Sequence, residues 1–162
     1  MELPRQIVVG EKNIGQVGEF LRSLSNPKKV SIICGKNVKK IIGKQIDQSL
    51  KDVKILVVWH FAQSNEVKET VAIQKKVKAA KSDIIIGLGG GRSVDIAKLC
   101  SFNLKKPFIS IPTSASHDGI ASPFVSVRGE KPHSLVATAP LGVFVDLDII
   151  KKAPKKLLAS GC

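Results

Sequence analysis

Four times in succession the chain repeats one pairing: a short block of β-branched and apolar residues, then a longer segment whose apolar positions recur every three or four residues. The blocks are Ile7-Val8-Val9, Val30 to Cys34, Val53 to Trp59 and Asp83 to Gly87. Behind them come Asn13 to Leu24, a stretch opening at Gly35-Lys36-Asn37, Asn65 to Ala80, and Ser93 to Phe102. A strand apolar on both sides needs cover on both, and a helix with one apolar stripe must bury it. Alternating the two predicts an α/β domain, a Rossmann-like and mainly parallel sheet with flanking helices. In the first helix Ile14, Val17, Phe20 and Leu21 share a face, and Asn26-Pro27 stops it; in the second the apolar face is Val38, Ile41, Ile42 and Ile46. A fifth block, Phe108 to Ile111, adds a fifth strand.

Beyond Pro112 the rhythm breaks. Thr113 to Pro123 is a polar, small-residue loop without a period, and Phe124 to Thr138 predicts a β-hairpin turning at Arg128-Gly129-Glu130-Lys131. Gly142 to Val145 resumes as a strand, Asp146-Leu147-Asp148 caps the next segment, and Ala153-Pro154-Lys155 opens a last short helix that ends at Gly161-Cys162.

The 162 residues suffice for one domain with a real core. Hydrophobic residues at 43% and charged ones at 24% exclude a disordered tail. No apolar run approaches the roughly 18 residues that cross a bilayer, so no integral membrane segment is expected. Met1 to Arg5 leads into no apolar signal region, which points to a cytoplasmic protein. Cys34, Cys100 and Cys162 lack the spacing of a disulfide framework or zinc knuckle and read as buried or incidental thiols.

Twenty-six Lys and Arg against thirteen Asp and Glu give a net charge of +13, which suits an anionic partner: nucleic acid, an anionic membrane or a phosphorylated small molecule. Most lysines are spread along helix faces, such as Lys68, Lys75, Lys76, Lys78 and Lys81, and read as solvated. With no Tyr, one Trp and six Phe, there is little on which bases could stack, so nucleic acid is disfavoured.

The strongest local signal is Gly87-Leu88-Gly89-Gly90-Gly91-Arg92-Ser93-Val94-Asp95, set between a strand and a helix. Glycines let the backbone turn sharply and approach a ligand, and free amides at a helix start favour an anion such as a pyrophosphate. Arg92 stands where G-x-G-x-x-G would place its last glycine, and the run follows a late strand, so this is not a standard Rossmann fingerprint; it also lacks the Lys-Ser/Thr ending of a P-loop. A merely tight turn is the alternative, and three consecutive glycines argue against it.

The second signal is the loop Pro112 to Pro123, where Thr113, Ser114, Ser116, His117, Asp118 and Ser122 crowd together. In a parallel sheet this loop and the glycine turn both leave carboxyl ends of strands, where open α/β sheets bind ligands. Hydroxyls there would donate to phosphates or an amide, and Asp118 would accept from a substrate hydroxyl. A local Asp118-Gly119 turn with Ser and Thr capping their own backbone is the alternative. His117 has no identifiable partner, and His60, His117 and His133 show no metal-ligand spacing.

Gly89 to Lys98 followed by Pro112 to Pro123 resembles the archaeal sn-glycerol-1-phosphate dehydrogenases, within the iron-containing alcohol dehydrogenase and dehydroquinate synthase-like superfamily. The GGG-x-x-x-D turn is shared across that superfamily, whereas Ser116-His117-Asp118-Gly119-Ile120-Ala121-Ser122-Pro123 is particular to the glycerol-1-phosphate branch. Lys151 to Pro154 and Leu157 to Cys162 also fit, so the resemblance covers essentially the whole chain.

The resemblance implies a dehydroquinate synthase-like N-terminal domain. The implied activity is NAD(P)H-dependent, zinc-containing reduction of dihydroxyacetone phosphate to sn-glycerol 1-phosphate, the backbone of archaeal membrane phospholipids. By family position Gly91, Arg92, Ser93, Val94 and Asp95 would line the nicotinamide dinucleotide, with Thr113, Ser116 and Ser122 beside it and Asp118 at the substrate. Gly35 to Asn37 would lie near the adenosine ribose. No acidic residue stands there and Lys36 would tolerate a 2′-phosphate, so both NAD and NADP are implied.

The family has two domains, and its first metal ligand, an Asp, comes after the segment that here ends at Gly161-Cys162. Residues 1–162 are therefore expected to be the nucleotide-binding domain, without a catalytic residue or metal ligand of their own. The helical zinc-binding domain is expected outside this chain, with the chain alone inactive and prone to self-association into homo-oligomers through uncovered apolar surface. The competing readings are a glycerol or alcohol dehydrogenase of the same superfamily, and a non-enzymatic basic binding domain.

Overall fold

A computed structural model describes residues 3–64, 66–115, 120–126 and 134–154. The elements in chain order are β1 (Gln6–Gly10), α1 (Val17–Leu24, entered through a 3-10 turn at Ile14–Gln16), β2 (Lys29–Cys34), α2 (Lys36–Asp52), β3 (Leu56–Phe61), α3 (Val67–Ala80) and β4 (Ile84–Gly89). Next are α4 (Gly91–Leu104), β5 (Phe108–Pro112), β6 (Phe124–Ser126), β7 (Ser134–Val136), β8 (Gly142–Asp146) and α5 (Leu147–Lys151).

Six strands form one sheet in the order β1-β8-β5-β4-β2-β3, with every neighbouring pair parallel, while β6 and β7 form a separate antiparallel hairpin. The α/β architecture with a hairpin thus agrees with the sequence. β4 lies inside the sheet with all six residues buried, as its continuous apolar run requires. The edge strand β1 is also apolar, yet Ile7 and Val9 face outward exposed.

Helices α1 and α2 cover one face, where Val17, Phe20, Leu21, Ile42, Ile46 and Leu50 pack on Ile32, Ile86, Ile109 and Phe144. Helices α3 and α4 cover the other, with Ile73, Val77, Val94 and Cys100 on Ile33, Ile85 and Phe108. Gly18 brings the backbone of α1 against that of α2, its N–H donating to Ser49 Oγ at 2.8 Å.

Two local expectations change. Ile41 is 73% exposed: the buried face of α2 runs through Ile42, Ile46, Ser49 and Leu50, one step around the helix from the face that apolar spacing predicts. Val53 belongs to the end of α2, and β3 begins only at Leu56, because Lys54 takes a left-handed conformation that turns the chain between them. The helix expected from Ala153-Pro154-Lys155 onward falls mostly outside the described residues; before it α5 directly follows β8, with the Asp146 side chain accepting from the amides of Asp148 and Ile149 as its cap. Ala153 and Pro154 lie past it, and the residues beyond, like the hairpin turn at 127–133, are outside those described.

His60 is buried on β3 and meets Ser31 Oγ at 3.0 Å, which in turn lies 2.8 Å from Ser82 Oγ. Burial, with Lys76 nearby, pulls its pKa below the ordinary imidazole value. The unfolded chain therefore takes up this proton more readily than the folded one. Stability is full above an unfolded-state pKa of about 6.5 and declines as pH falls below it, by at most about 1.4 kcal/mol per pH unit for one proton. Urea midpoints between pH 7.5 and 5.5 should fall in the wild type and fall less in His60→Gln. Parallel declines in both proteins would remove His60 from the effect.

Candidate functional site

The chain travels outward from β2 to β3, then returns to place β4 on the other side of β2 and continues through β5 to β8. The direction of winding therefore reverses between β2 and β4, whose carboxyl ends lie side by side, Cys34 opposite Leu88. Such a switch point leaves a crevice between the loops that depart in opposite directions.

Two helices start there. Gly35 caps α2 and Gly90 caps α4; neither N-cap carries a side-chain hydrogen bond, and neither first turn contains an acid. By contrast α1, α3 and α5 carry Glu19, Glu69 and Asp148 in their first turns. The amino ends of α2 and α4 thus keep their partial positive charge uncompensated, as a site for an anion would.

The consecutive glycines have separate jobs. At Gly87 an added Cβ would lie 2.9 Å from Val94 Cα and 3.0 Å from Ala97 Cβ, so this glycine seats α4 on β4. Gly89 has φ +139°, a conformation side chains rarely adopt, and makes the turn. Gly90 has φ −80°, ordinary for any residue, and an added Cβ there would meet nothing nearer than Ser114 Oγ at 3.5 Å. Neither packing nor backbone angle asks for glycine at Gly90; what a Cβ would occupy is the space beside Ser114 in the crevice.

The loop after β5 meets this turn, as the sequence suggests. Gly89 pairs with Pro112, Thr113 N–H donates to Gly89 O at 2.9 Å, and Ser114 is buried. The first-turn residues Gly91, Arg92 and Ser93 and the half-buried Thr113 therefore share one edge.

Their side chains nevertheless part. Ser93 is buried under the turn, whereas Arg92 is exposed and donates to Gln63 O on the β3–α3 connection. Next to it sits Glu69: its partial burial is outweighed by hydrogen bonds from the Ser64 hydroxyl and the Gln63 and Ser64 amides, which hold its carboxyl below the usual range. Val94 packs into the core, and Asp95, also buried, accepts from the Ser126 amide of β6 at 3.3 Å. Ser122 is half-buried before the hairpin, and Ser116, His117 and Asp118 lie outside the described residues.

On the other wall Lys36 is exposed in the first turn of α2, while Lys39 stacks over the Trp59 ring at 4.5 Å. The buried thiols are poor nucleophiles, since burial pushes Cys34 up to about 11 and Cys100 to about 12. Among the described residues no three His, Cys, Asp or Glu side chains gather to hold a metal ion, so they do not fit a zinc site, and no helix is long and apolar enough to cross a membrane.

Lys98 is a residue that sequence reading misses. It is 0% exposed, and its Nζ donates to Phe124 O at 2.9 Å. One signal could have found it: it lies four residues after Val94, which puts it on the same buried face of α4 as Ser101.

A family model described as iron-containing alcohol dehydrogenase matches residues 8–154. The chain is 64% identical over all its 162 residues to a glycerol-1-phosphate dehydrogenase (NAD(P)+) of Nitrosopumilus maritimus, and 54% identical to one of Cenarchaeum symbiosum. It spans 46% of the length of each. Among solved structures, glycerol dehydrogenase from Schizosaccharomyces pombe superposes with a TM-score of 0.88 at 24% identity, over 99% of this chain and 42% of that one.

Proposed function

We propose, from the premise that the chain belongs to the iron-containing alcohol dehydrogenase family, that it is the nucleotide-binding part of a glycerol-1-phosphate dehydrogenase. The reaction is the NAD(P)-linked interconversion of dihydroxyacetone phosphate and sn-glycerol 1-phosphate. The observation that carries the reading is the glycine turn at the switch point, where two glycine-capped, acid-free helix starts face one crevice and Gly90 leaves room for a ligand. A net charge of +13 suits a phosphorylated substrate, and the names of the Nitrosopumilus and Cenarchaeum relatives support this substrate over glycerol itself.

In this reading the first-turn amides of Gly91, Arg92 and Ser93 bind the pyrophosphate. Thr113, Ser116 and Ser122 orient the nicotinamide end, and Asp118 accepts from the substrate hydroxyl. Val94 and Asp95 act from behind, through the packing that steadies the turn. Lys36 stands free for a 2′-phosphate, so NADP is accepted beside NAD. The bound dinucleotide supplies the hydride that reduces the ketone. Zinc belongs to ligands outside this chain, in a helical domain, and the product serves archaeal phospholipid synthesis in the cytoplasm.

The test is an assay at the full encoded length with dihydroxyacetone phosphate and with glycerol. Preference for the phosphorylated pair supports the reading, and turnover of glycerol alone overturns it. Asp118→Ala should lower kcat/KM for dihydroxyacetone phosphate at least about tenfold, roughly 1.4 kcal/mol of transition-state stabilisation, with NADH affinity unchanged. If neither quantity moves, Asp118 is only a turn residue.

A further inference from the structure

The connection from Thr113 to Pro123 is tied to a single structural unit at both ends. At its start, Thr113 N–H donates to Gly89 O, on the glycine turn itself. Just past its end, α4 grips strand β6 twice: Lys98 Nζ donates to Phe124 O at 2.9 Å, and Asp95 Oδ2 accepts from Ser126 N–H at 3.3 Å. One side chain holds a carbonyl and the other an amide, two residues apart on the same short strand. Between them Val125 is buried.

The grip on Phe124 comes from an unusual group. Lys98 is the largest fully buried side chain among the described residues, and placing the end of a lysine in a domain interior is unfavourable unless its hydrogens find acceptors. A methionine of similar length would fill the same space without that cost. The strand gripped is short and its hairpin lies apart from the main sheet, so β6 gains no ladder bonds from the six-stranded sheet to fix its position. This pair of side chains and the burial of Val125 hold it against α4.

We infer that Lys98, together with Asp95, is a positioning residue that latches strand β6 onto the β4–α4 unit, so that the two described ends of the connection, Thr113 and residues 120–123, hold one fixed spacing from the glycine turn. The same helix then offers its first turn to the dinucleotide and its next turns to the strand that carries the loop away. Its consequence for catalysis rests on the reading above, in which this connection bears the substrate contact.

The test is Lys98→Met at the full encoded length, read first by hydrogen exchange. Protection over 120–126 should fall at least about tenfold, while the amides of β2 and β4 keep theirs. If 120–126 exchanges as in the wild type, the latch is refuted. Lys98→Gln, which keeps a donor at shorter reach, is the second variant should the methionine protein lose its core, and it should show the same local effect. If both lose protection throughout, Lys98 holds up the whole domain and the positioning role is overturned.

The second readout is kinetic. KM for dihydroxyacetone phosphate should rise at least about tenfold while the dissociation constant for NADH rises at most a few-fold, because the first-turn amides proposed for the pyrophosphate stay in place while Ser116 and Ser122 loosen; general loosening would not give that split. Equal losses in both would overturn the assignment to the substrate loop. A wild-type protein that neither binds NADH nor turns over substrate would refute the proposed function, while the exchange experiment would still decide the latch.

Discussion

Gly90→Val is expected to lower NADH and NADPH affinity at least about 100-fold, roughly 2.7 kcal/mol, while leaving the domain folded. The backbone at Gly90 already has the extended angles that β-branched residues prefer, and an added Cβ would come no closer than 3.5 Å, an ordinary contact, to Ser114 Oγ. Replacing a glycine N-cap with an apolar residue costs on the order of 1 kcal/mol, and no clash adds to it. The new methyl groups must then stand where the pyrophosphate would approach the first-turn amides. A fluorescence titration giving wild-type affinity in a variant of near wild-type stability would show that the phosphates bind elsewhere.

Gly18→Ala should have the opposite signature, a large loss of stability with no direct effect on the crevice. The added Cβ would sit 2.2 Å from Ser49 O, 2.8 Å from Ser49 C and 2.9 Å from Val53 Cγ2. The two shortest distances are to backbone atoms of α2, which cannot swing aside as a side chain can. Relief requires α1 to move off α2, breaking the Gly18–Ser49 bond and loosening Phe20 and Leu21 in the core. Overpacking of this kind falls at the upper end of its usual range, about 3 kcal/mol. A urea midpoint shift worth less than about 1 kcal/mol would mean that the two helices slide past each other freely.

The layered fold is legible because each layer writes its own period. Ile84 to Gly87 and, apart from Ser31, Val30 to Cys34 are apolar without alternation and lie in strands β4 and β2, covered on both faces. The glycine turn is legible as a tight strand-to-helix turn from its place between the two elements. The distinct duties of Gly87, Gly89 and Gly90 are not, because composition does not say which glycine meets a helix, which takes positive φ and which faces open space. Periodicity misplaces Ile41 because an apolar residue at the rim of a helical stripe satisfies the period whether or not the sheet reaches it. Lys98 escapes notice because in a chain so rich in lysine one more on a helix reads as solvated; its acceptor, Phe124 O, lies on β6, distant in sequence. Asp95 stands out through its motif, yet its contact with Ser126 depends on the same docking.

The strand order also sets a schedule. Of the strands in this sheet β1 leaves the ribosome first, yet it pairs with β8, and the bond from Ile14 N–H to the Asp146 side chain joins positions 132 residues apart. At about 5–20 residues per second, synthesis leaves Ile7-Val8-Val9 waiting on the order of 7 to 26 s for its partner. Strands β2 to β5 can assemble meanwhile from near neighbours in the chain. The nascent polypeptide therefore carries an unpaired, β-branched leading segment beside a half-built sheet, the species on which chaperones act, and the domain is closed from its beginning only when its far end has been made.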